Sequence, residues 1–298
     1  MCLWLQLDLS NNELCGVYYY NGKLQGTYNA EGITAIANAL KVTASLTSLN
    51  LADNALCGIK YGRGTYNSEG IKAIAEALKV TASLTCIDVH GNNIAGDGAS
   101  QLSAAVLGNT KIEVFNEVPI KEMRADSFTE LNLEKKRIGV EGGMVVAGLL
   151  PVMASLTSIN LGKNDLGVEG TKAICEALKS NKMLKELDLS GQRGIGSVRS
   201  NIGGPAGAKH VADLLGTNAS LTLLSLGDND LGDDGVEALS VGLKESKSLA
   251  TLDLHNKFNS STKFGRKGAA ALASAIAVVA SLTSVSVSYT HLTLPTKA

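Results

Sequence analysis

SLTSINLGKNDL, residues 155–166, holds the pattern that decides the fold. Leu156, Ile159, Leu161 and Leu166 put apolar side chains at its first, fourth, sixth and eleventh repeat positions, with Asn164 at the ninth. Alternation over Leu156–Leu161 turns Ile159 and Leu161 inward and leaves Ser158 and Asn160 on the opposite face of a short strand. Asn164 then turns the chain, its amide able to bond backbone groups of neighbouring turns. GTKAICEALKS (170–180) follows, with Ile174, Ala177 and Leu178 at helical spacing.

The same pattern returns as SLTSLNLADNAL (45–56), SLTCIDVHGNNI (83–94) and SLTLLSLGDNDL (220–231), with looser copies beginning at Trp4, Phe128, Leu184, Leu249 and Leu282. First apolar positions lie 28 residues apart from Leu84 to Ile112, Phe128 to Leu156, Leu156 to Leu184 and Leu221 to Leu249. The other full steps are that length plus an insertion. The step from Ile112 to Phe128 is a short unit containing Pro119, where a turn or a single helical turn is expected. One unit cannot bury its apolar face alone, so the units must stack into a parallel sheet backed by helices.

These repeats resemble the ribonuclease-inhibitor class of leucine-rich repeats, as found in NOD-like receptors and the Ran GTPase-activating protein. The resemblance implies an α/β solenoid, a curved horseshoe with a parallel β-sheet on its concave face and helices on its convex face. Residues 1–286 are expected to form one such domain of about ten units, the short one at 112–127. Lys136, Gln192 and Lys257 stand where the turn asparagine belongs, so the asparagine ladder should break at all three. The first repeat begins in its strand and the last ends in its strand without polar caps, which predicts truncation at both ends. Residues 287–298, VSYTHLTLPTKA, resemble the translation of a transposase adapter used in sequencing libraries. They are set aside as a non-native tail, His291 included.

Composition narrows the function classes. The 298 residues carry 27 Lys+Arg against 28 Asp+Glu, a net charge of -1, and are 45% hydrophobic. That excludes a charge-rich disordered chain and a uniformly basic nucleic-acid binder. The longest apolar stretch, Ala269–Ala280, is interrupted by Ser274 and falls short of the roughly 18 residues a spanning helix needs. The amino end, MCLWLQLDLS, lacks the basic and long apolar regions of a secretory signal. Five cysteines at uneven spacings make no disulfide framework and point to a reducing, cytoplasmic compartment, where the sequons at Asn218 and Asn259 should stay unmodified. Cys15 and Cys57 share an L-C-G context in adjacent repeats and read as small buried residues, with a close approach of their thiols as the alternative.

Catalytic motifs are absent: no phosphate loop, no nucleophile elbow, no H-E-x-x-H and no paired C-x-x-C. GIGSVR (194–199) ends in Arg199 where a dinucleotide loop needs Gly. His90 and His255 occupy one repeat position six repeats apart and, with His210, read as surface residues. No catalytic residue, metal site or cofactor is expected.

Two surfaces of opposite charge remain. The outward strand positions hold Asp8, Asp88, Glu130, Glu134, Glu186, Asp188 and Asp253 with no Lys or Arg, so the concave face should be acidic, softened at its rim by Lys135 and Lys163. Four insertions, 15–30, 57–68, 193–206 and 258–267, contain no acid. Their candidate contacts are Tyr18, Tyr19, Tyr20, Lys60, Tyr61, Arg63, Arg193, Arg199, Phe258, Phe264 and Arg266, while Tyr28 and Tyr66, in matching G-T-Y-N segments, are expected to stack and brace the loops. Rigid aromatics beside Arg and adaptable Gly, Ser and Asn suit protein recognition.

The sequence therefore reads as a non-enzymatic protein–protein interaction module of a cytoplasmic sensor or scaffold, its acidic face meeting a basic surface of a protein partner. Two alternatives stay open. One is GTPase activation of the Ran-GAP type, for which no arginine can be assigned a role. The other is nucleic-acid or phosphate-ligand binding at the loop edge, against which the near-neutral charge and acidic sheet count.

Overall fold

The computed structural model describes residues 5–194, 197–255, 264–287 and 290–293, with the backbone alone for 193–194, 197–199 and 290–293. The chain divides into two compact units, Met1–Glu122 with Arg137–Val146, and Met123–Lys136 with Ala147–Ala298.

In the first unit each repeat gives a strand, a loop and a helix. β1 (Leu5–Asp8) leads through a hairpin, β2 (Val17–Tyr20) and β3 (Lys23–Gly26), to α1 (Glu31–Val42). β4 (Leu46–Asn50) leads through a second hairpin, β5 (Ile59–Lys60) and β6 (Arg63–Gly64), to α2 (Glu69–Leu78). β7 (Cys86–Asp88) connects directly to α3 (Gly96–Gly108). The short unit holds an antiparallel pair, β8 (Val114–Phe115) and β9 (Val118–Pro119), and the five-residue α4 (Ile120–Arg124). β1, β4, β7 and β8 pair in parallel, aligning Leu7, Leu49, Ile87 and Phe115 in one row. Leu49, Ile87 and Phe115 are buried, with Ile33, Ile71, Ile74 and Leu102 from the helices behind them. α5 (Gly139–Leu149) begins in this unit.

The second unit repeats the design. β10 (Glu130–Asn132), β11 (Ser158–Asn160) and β12 (Glu186–Asp188) pair in parallel, and α6 (Gly167–Leu178) lies between the last two in sequence. After β12 comes a hairpin, β13 (Gln192–Gly194) and β14 (Ser197–Arg199), then α7 (Gly204–Thr217). β15 (Leu223–Ser225), α8 (Gly232–Glu245), β16 (Thr251–Asp253), α9 (Arg266–Ile276) and β17 (Ser284–Val287) complete the parallel run. β18 (Thr290–Thr293) adds antiparallel to β17. Each unit is thus an α/β solenoid segment with an apolar core between one parallel sheet and its helices. Among the described residues no helix is long and apolar enough to cross a membrane.

The asparagine ladder explains the turn after each strand. Asn54 Nδ2 donates to Leu51 O and Leu9 O, and its Oδ1 accepts from Asn12 N. Asn92 repeats this toward Asn54, donating to Leu51 O and Val89 O. In the second unit, Asn164 N donates to Asn201 Oδ1 and Asn201 N to Asn229 Oδ1. This corrects the expected break at Gln192: the hairpin is inserted before the ladder position, so Asn201, on its far side, makes the bonds that Gln192 would have made. Lys257 lies outside the described residues. On both sides of the ladder asparagines the backbone is left-handed, at Lys163 and Asp165, at Asp228 and Asp230, and at Asp53 and Ala55, which favours Gly, Asn and Asp there.

Candidate functional site

The open face of each sheet is built from the third and fifth repeat positions. Parallel registers align Asp8, Asn50 and Asp88 in the first unit, and Asn132, Asn160, Asp188, Ser225 and Asp253 in the second. Seven fifth-position residues, all but Ser225 of those eight, accept the N–H two residues on through Oδ1: Asp8 from Ser10 at 2.9 Å, Asn50 from Ala52 at 3.0 Å, Asp88 from His90 at 3.0 Å, Asn132 from Glu134 at 2.9 Å, Asn160 from Gly162 at 2.9 Å, Asp188 from Ser190 at 2.8 Å and Asp253 from His255 at 2.9 Å. These are Asx turns that end each strand, a structural demand for a short side chain with an acceptor oxygen. Asn meets that demand as well as Asp does, so the turn accounts for the residue type and not for the negative charge. The Ser10 N–H holds the Asp8 carboxyl below its ordinary value.

The acids differ in what surrounds them. Glu134 accepts from Lys163 Nζ at 2.5 Å, with Lys135 Nζ 3.7 Å away, and the Lys163 hydrogen bond holds its carboxyl below the ordinary value. Glu186 accepts from the Ser158 hydroxyl at 3.2 Å. Glu130 is exposed on β10.

In the first unit the face also carries a basic group that the strand positions do not reveal. Arg137 grips Asp53 with Nη2 at 2.9 Å from Oδ1 and Nη1 at 3.2 Å from Oδ2, and Nη1 lies 2.9 Å from His90 Nε2. A guanidinium only donates, so this contact selects the His90 tautomer with its proton on Nδ1, which donates to Asp88 Oδ1 at 2.7 Å. Burial would raise the Asp88 carboxyl, but the His90 ring and backbone bonds and the nearby Arg137 charge outweigh it and hold the group below its ordinary value. His90 is therefore a member of a four-residue cluster instead of a plain surface residue. Asp53 and Arg137 are 84 residues apart and carry no local signal of their pairing.

The first two insertions form hairpins closed by two-residue turns, Asn21–Gly22 and Tyr61–Gly62, all with positive φ. Tyr19 and Tyr61 pack edge to face, with ring centroids 5.1 Å apart, and the Arg63 guanidinium reaches Gly22 O at 3.4 Å. Gly64 has φ +116, and a Cβ there would lie 2.1 Å from Gly58 O and 3.1 Å from Leu24 Cδ2, so the site admits no side chain. Tyr18, Tyr20 and Tyr61 remain 39%, 62% and 73% exposed. Tyr18, Tyr19, Tyr20, Lys60, Tyr61 and Arg63 thus share two adjoining hairpins.

Tyr28 and Tyr66 brace by hydroxyl instead of by ring stacking. Tyr28 Oη donates to Leu56 O and accepts from Gly70 N, both at 3.2 Å, and Tyr66 Oη donates to Ala95 O at 2.5 Å. Each ties its loop to the start of the next repeat's helix. Cys15 and Cys57 are free and fully buried, and burial pushes their thiols up to about 11 and about 12. In the second unit, Phe264 is half-buried before α9 and Arg266 is exposed at its first residue. Phe258 and the side chains of Arg193 and Arg199 lie outside the described residues. The third insertion leaves the chain before the ladder asparagine, whereas the first two leave after it, so the insertions do not all emerge at one point of the repeat. Among the described residues no group of three or more His, Cys, Asp or Glu is placed to hold a metal ion.

Sequence reading also missed a second set of asparagines, three residues before the first leucine. Asn109 Nδ2 donates to Leu78 O and Thr81 O, and Asn218 Nδ2 to Leu178 O and Asn181 O, closing the carboxyl end of the helix one repeat earlier, α2 and α6 respectively. Asn218 is buried, so its sequon nitrogen is committed to the fold. The recurring Asn at 109, 181 and 218 was the available signal.

Three segments, residues 82–103, 152–175 and 217–240, match the family model described as Leucine Rich repeat. With the strand–helix stacking above, these matches define the class of fold: an α/β leucine-rich repeat solenoid. Among solved structures the chain is similar to leiomodin-1 actin-binding site 2, at 18% identity and TM-score 0.37, over 57% of this chain and 78% of that one. It is similar to the chain in the TLR13–ssRNA13 complex, at 16% identity and TM-score 0.24, over 84% and 37%, and to the chain in the mouse RP105/MD-1 complex, at 13% and 0.23, over 83% and 46%. It therefore spans less than half the length of the last two. No curated protein matches the chain.

Proposed function

We propose that this chain is a non-enzymatic recognition module of a cytoplasmic sensor or scaffold, with repeats of the ribonuclease-inhibitor type. The 28-residue step and helices of 10 to 14 residues support that repeat type. The acidic strand positions, Glu130, Glu186, Asp188 and Asp253 foremost, suit a basic protein surface, and the hairpins of the first unit are a protein contact in their own right. The carrying observation is the pair of adjoining hairpins, whose exposed Tyr18, Tyr20 and Tyr61 are not needed to fill the repeat core. Rigid two-torsion aromatics lose little entropy when they anchor a partner, which is why such rings dominate interface energetics.

Affinity capture with the full chain tests this, run beside the variant Tyr18→Ser/Tyr20→Ser/Tyr61→Asn and beside Glu130→Gln/Glu186→Gln. Proteins retained by the wild type and depleted by either variant support the reading. An identical set on all three overturns it.

A further inference from the structure

The hairpins carry more information than exposure alone, because their registers assign each side chain to a face. β2 and β3 pair Val17 with Gly26, Tyr18 with Gln25, Tyr19 with Leu24 and Tyr20 with Lys23. Successive residues of a strand point to opposite faces, so Val17, Tyr19 and Leu24 share one face and Tyr18, Tyr20, Lys23 and Gln25 the other. The first face is consumed: Val17 is buried, Tyr19 packs on Tyr61, and Leu24 comes against Gly64 of the second hairpin. The second face is open, and beside the hairpin Tyr61, whose edge-to-face partner Tyr19 lies on the first face, keeps 73% of its surface exposed.

The two hairpins together carry one sign of charge. Residues 15–30 and 57–68 contain no Asp or Glu, and among the described residues no carboxylate pairs with Lys23, Lys60 or Arg63. Some exposed cations elsewhere in the first unit find carboxylates, as Lys72 does with Asp97, Lys79 with Glu76 and Lys121 with Glu113, and others, such as Lys41 on Asn38, do not. Tyr61 is also held left-handed, at φ +52, where the matching turn of the first hairpin uses Asn21. A tyrosine at such a position costs backbone strain that an asparagine avoids, and the ring it displays is the return.

We propose that the open face of the first hairpin, with the exposed turn of the second beside it, docks a short acidic segment of a protein partner, its carboxylates on Lys23 and Arg63 and its apolar side chains against Tyr18, Tyr20 and Tyr61. This rests on the loop-edge reading above and names the chemistry of the partner. A protein segment fits better than a nucleic acid because Glu13, Glu31 and Glu69 flank the two insertions. With acids this close in sequence on either side of the insertions, a continuous phosphate chain meets more repulsion than a short acidic stretch does.

The test uses the full chain and four labelled probes: a pool of short peptides with Asp and Glu interspersed with Leu and Pro, the same pool with Lys and Arg as the charges, an uncharged Ser/Gly pool, and oligo-dT. The acidic pool should bind roughly tenfold or more tighter than the other three, weaken as salt rises, and lose roughly tenfold with either Tyr20→Ser/Tyr61→Asn or Lys23→Glu/Arg63→Glu. Both variants alter exposed side chains; Tyr61→Asn removes one ring contact and Arg63→Glu one exposed hydrogen bond of 3.4 Å, so the unfolding midpoint should move little. Equal or tighter binding of the basic, uncharged or oligo-dT probe overturns the proposal, as does retention of no pool or indifference to both variants. If another peptide pool wins and Tyr20→Ser/Tyr61→Asn still weakens it, the acidic assignment fails and the loop-edge reading stands. If a captured partner binds the tyrosine variant as well as the wild type, the loop-edge reading itself fails.

Discussion

Single buried polar groups set much of this fold's stability. Asn201 satisfies Asn164 N, Leu166 N, Leu161 O and Leu189 O with one side chain. Asn201→Ala removes the acceptor of the Asn164 and Leu166 N–H groups, while Leu161 O keeps Asn164 Nδ2 and Leu189 O keeps Asn229 Nδ2, and it should cost about 3 kcal/mol in urea denaturation. Thr171 is the opposite case. Its hydroxyl is fully buried with no hydrogen-bond partner, so Thr171→Val should raise stability by about 1 kcal/mol, seen as a higher thermal midpoint. Glu141 is buried at the start of α5, accepts from Asn116 Nδ2 at 3.0 Å, and burial pushes its carboxyl up to about 8. The folded state then keeps a proton that the unfolded chain releases near its ordinary value. Stability should fall as pH rises from about 4.5 toward 8 and level off above, and Glu141→Gln should flatten that slope in denaturation curves taken across pH.

At the scale of elements, repetition made the sequence legible. Leu156, Ile159, Leu161 and Asn164 recur in register, so strands, helices and ladder could be placed from one unit. Insertions interrupt that register, and there the reading lost accuracy. Gln192 looked like a broken rung because the hairpin after β12 carries the ladder asparagine nine residues on, at Asn201. The His90 cluster was invisible for a different reason: its Arg137 comes from a distant repeat, and only stacking brings the two together. The strand-face acids were legible as a row, but alternation alone did not show that Asp8, Asp88, Asp188 and Asp253 also close Asx turns. For the hairpins, Gly64→Ala tests whether the second one is built as described. A Cβ at φ +116, 2.1 Å from Gly58 O, forces the strands apart, so the Tyr19–Tyr61 contact should be lost and proteolytic cleavage within 57–68 should quicken.

For the whole molecule, the net charge of -1 is a cancellation between acidic strand positions and acid-free insertions. Surfaces of opposite sign favour different partner chemistry, an acidic face a basic surface and an acid-free loop an acidic one. The central claim is that exposed tyrosines of the paired hairpins, and not the repeat scaffold, supply the anchor. The most direct measurement is the Kd of a purified, captured partner for the wild-type chain and for Tyr18→Ser/Tyr20→Ser/Tyr61→Asn at matched salt. The account predicts a loss of roughly tenfold or more with an unchanged unfolding midpoint. An unchanged Kd would contradict it.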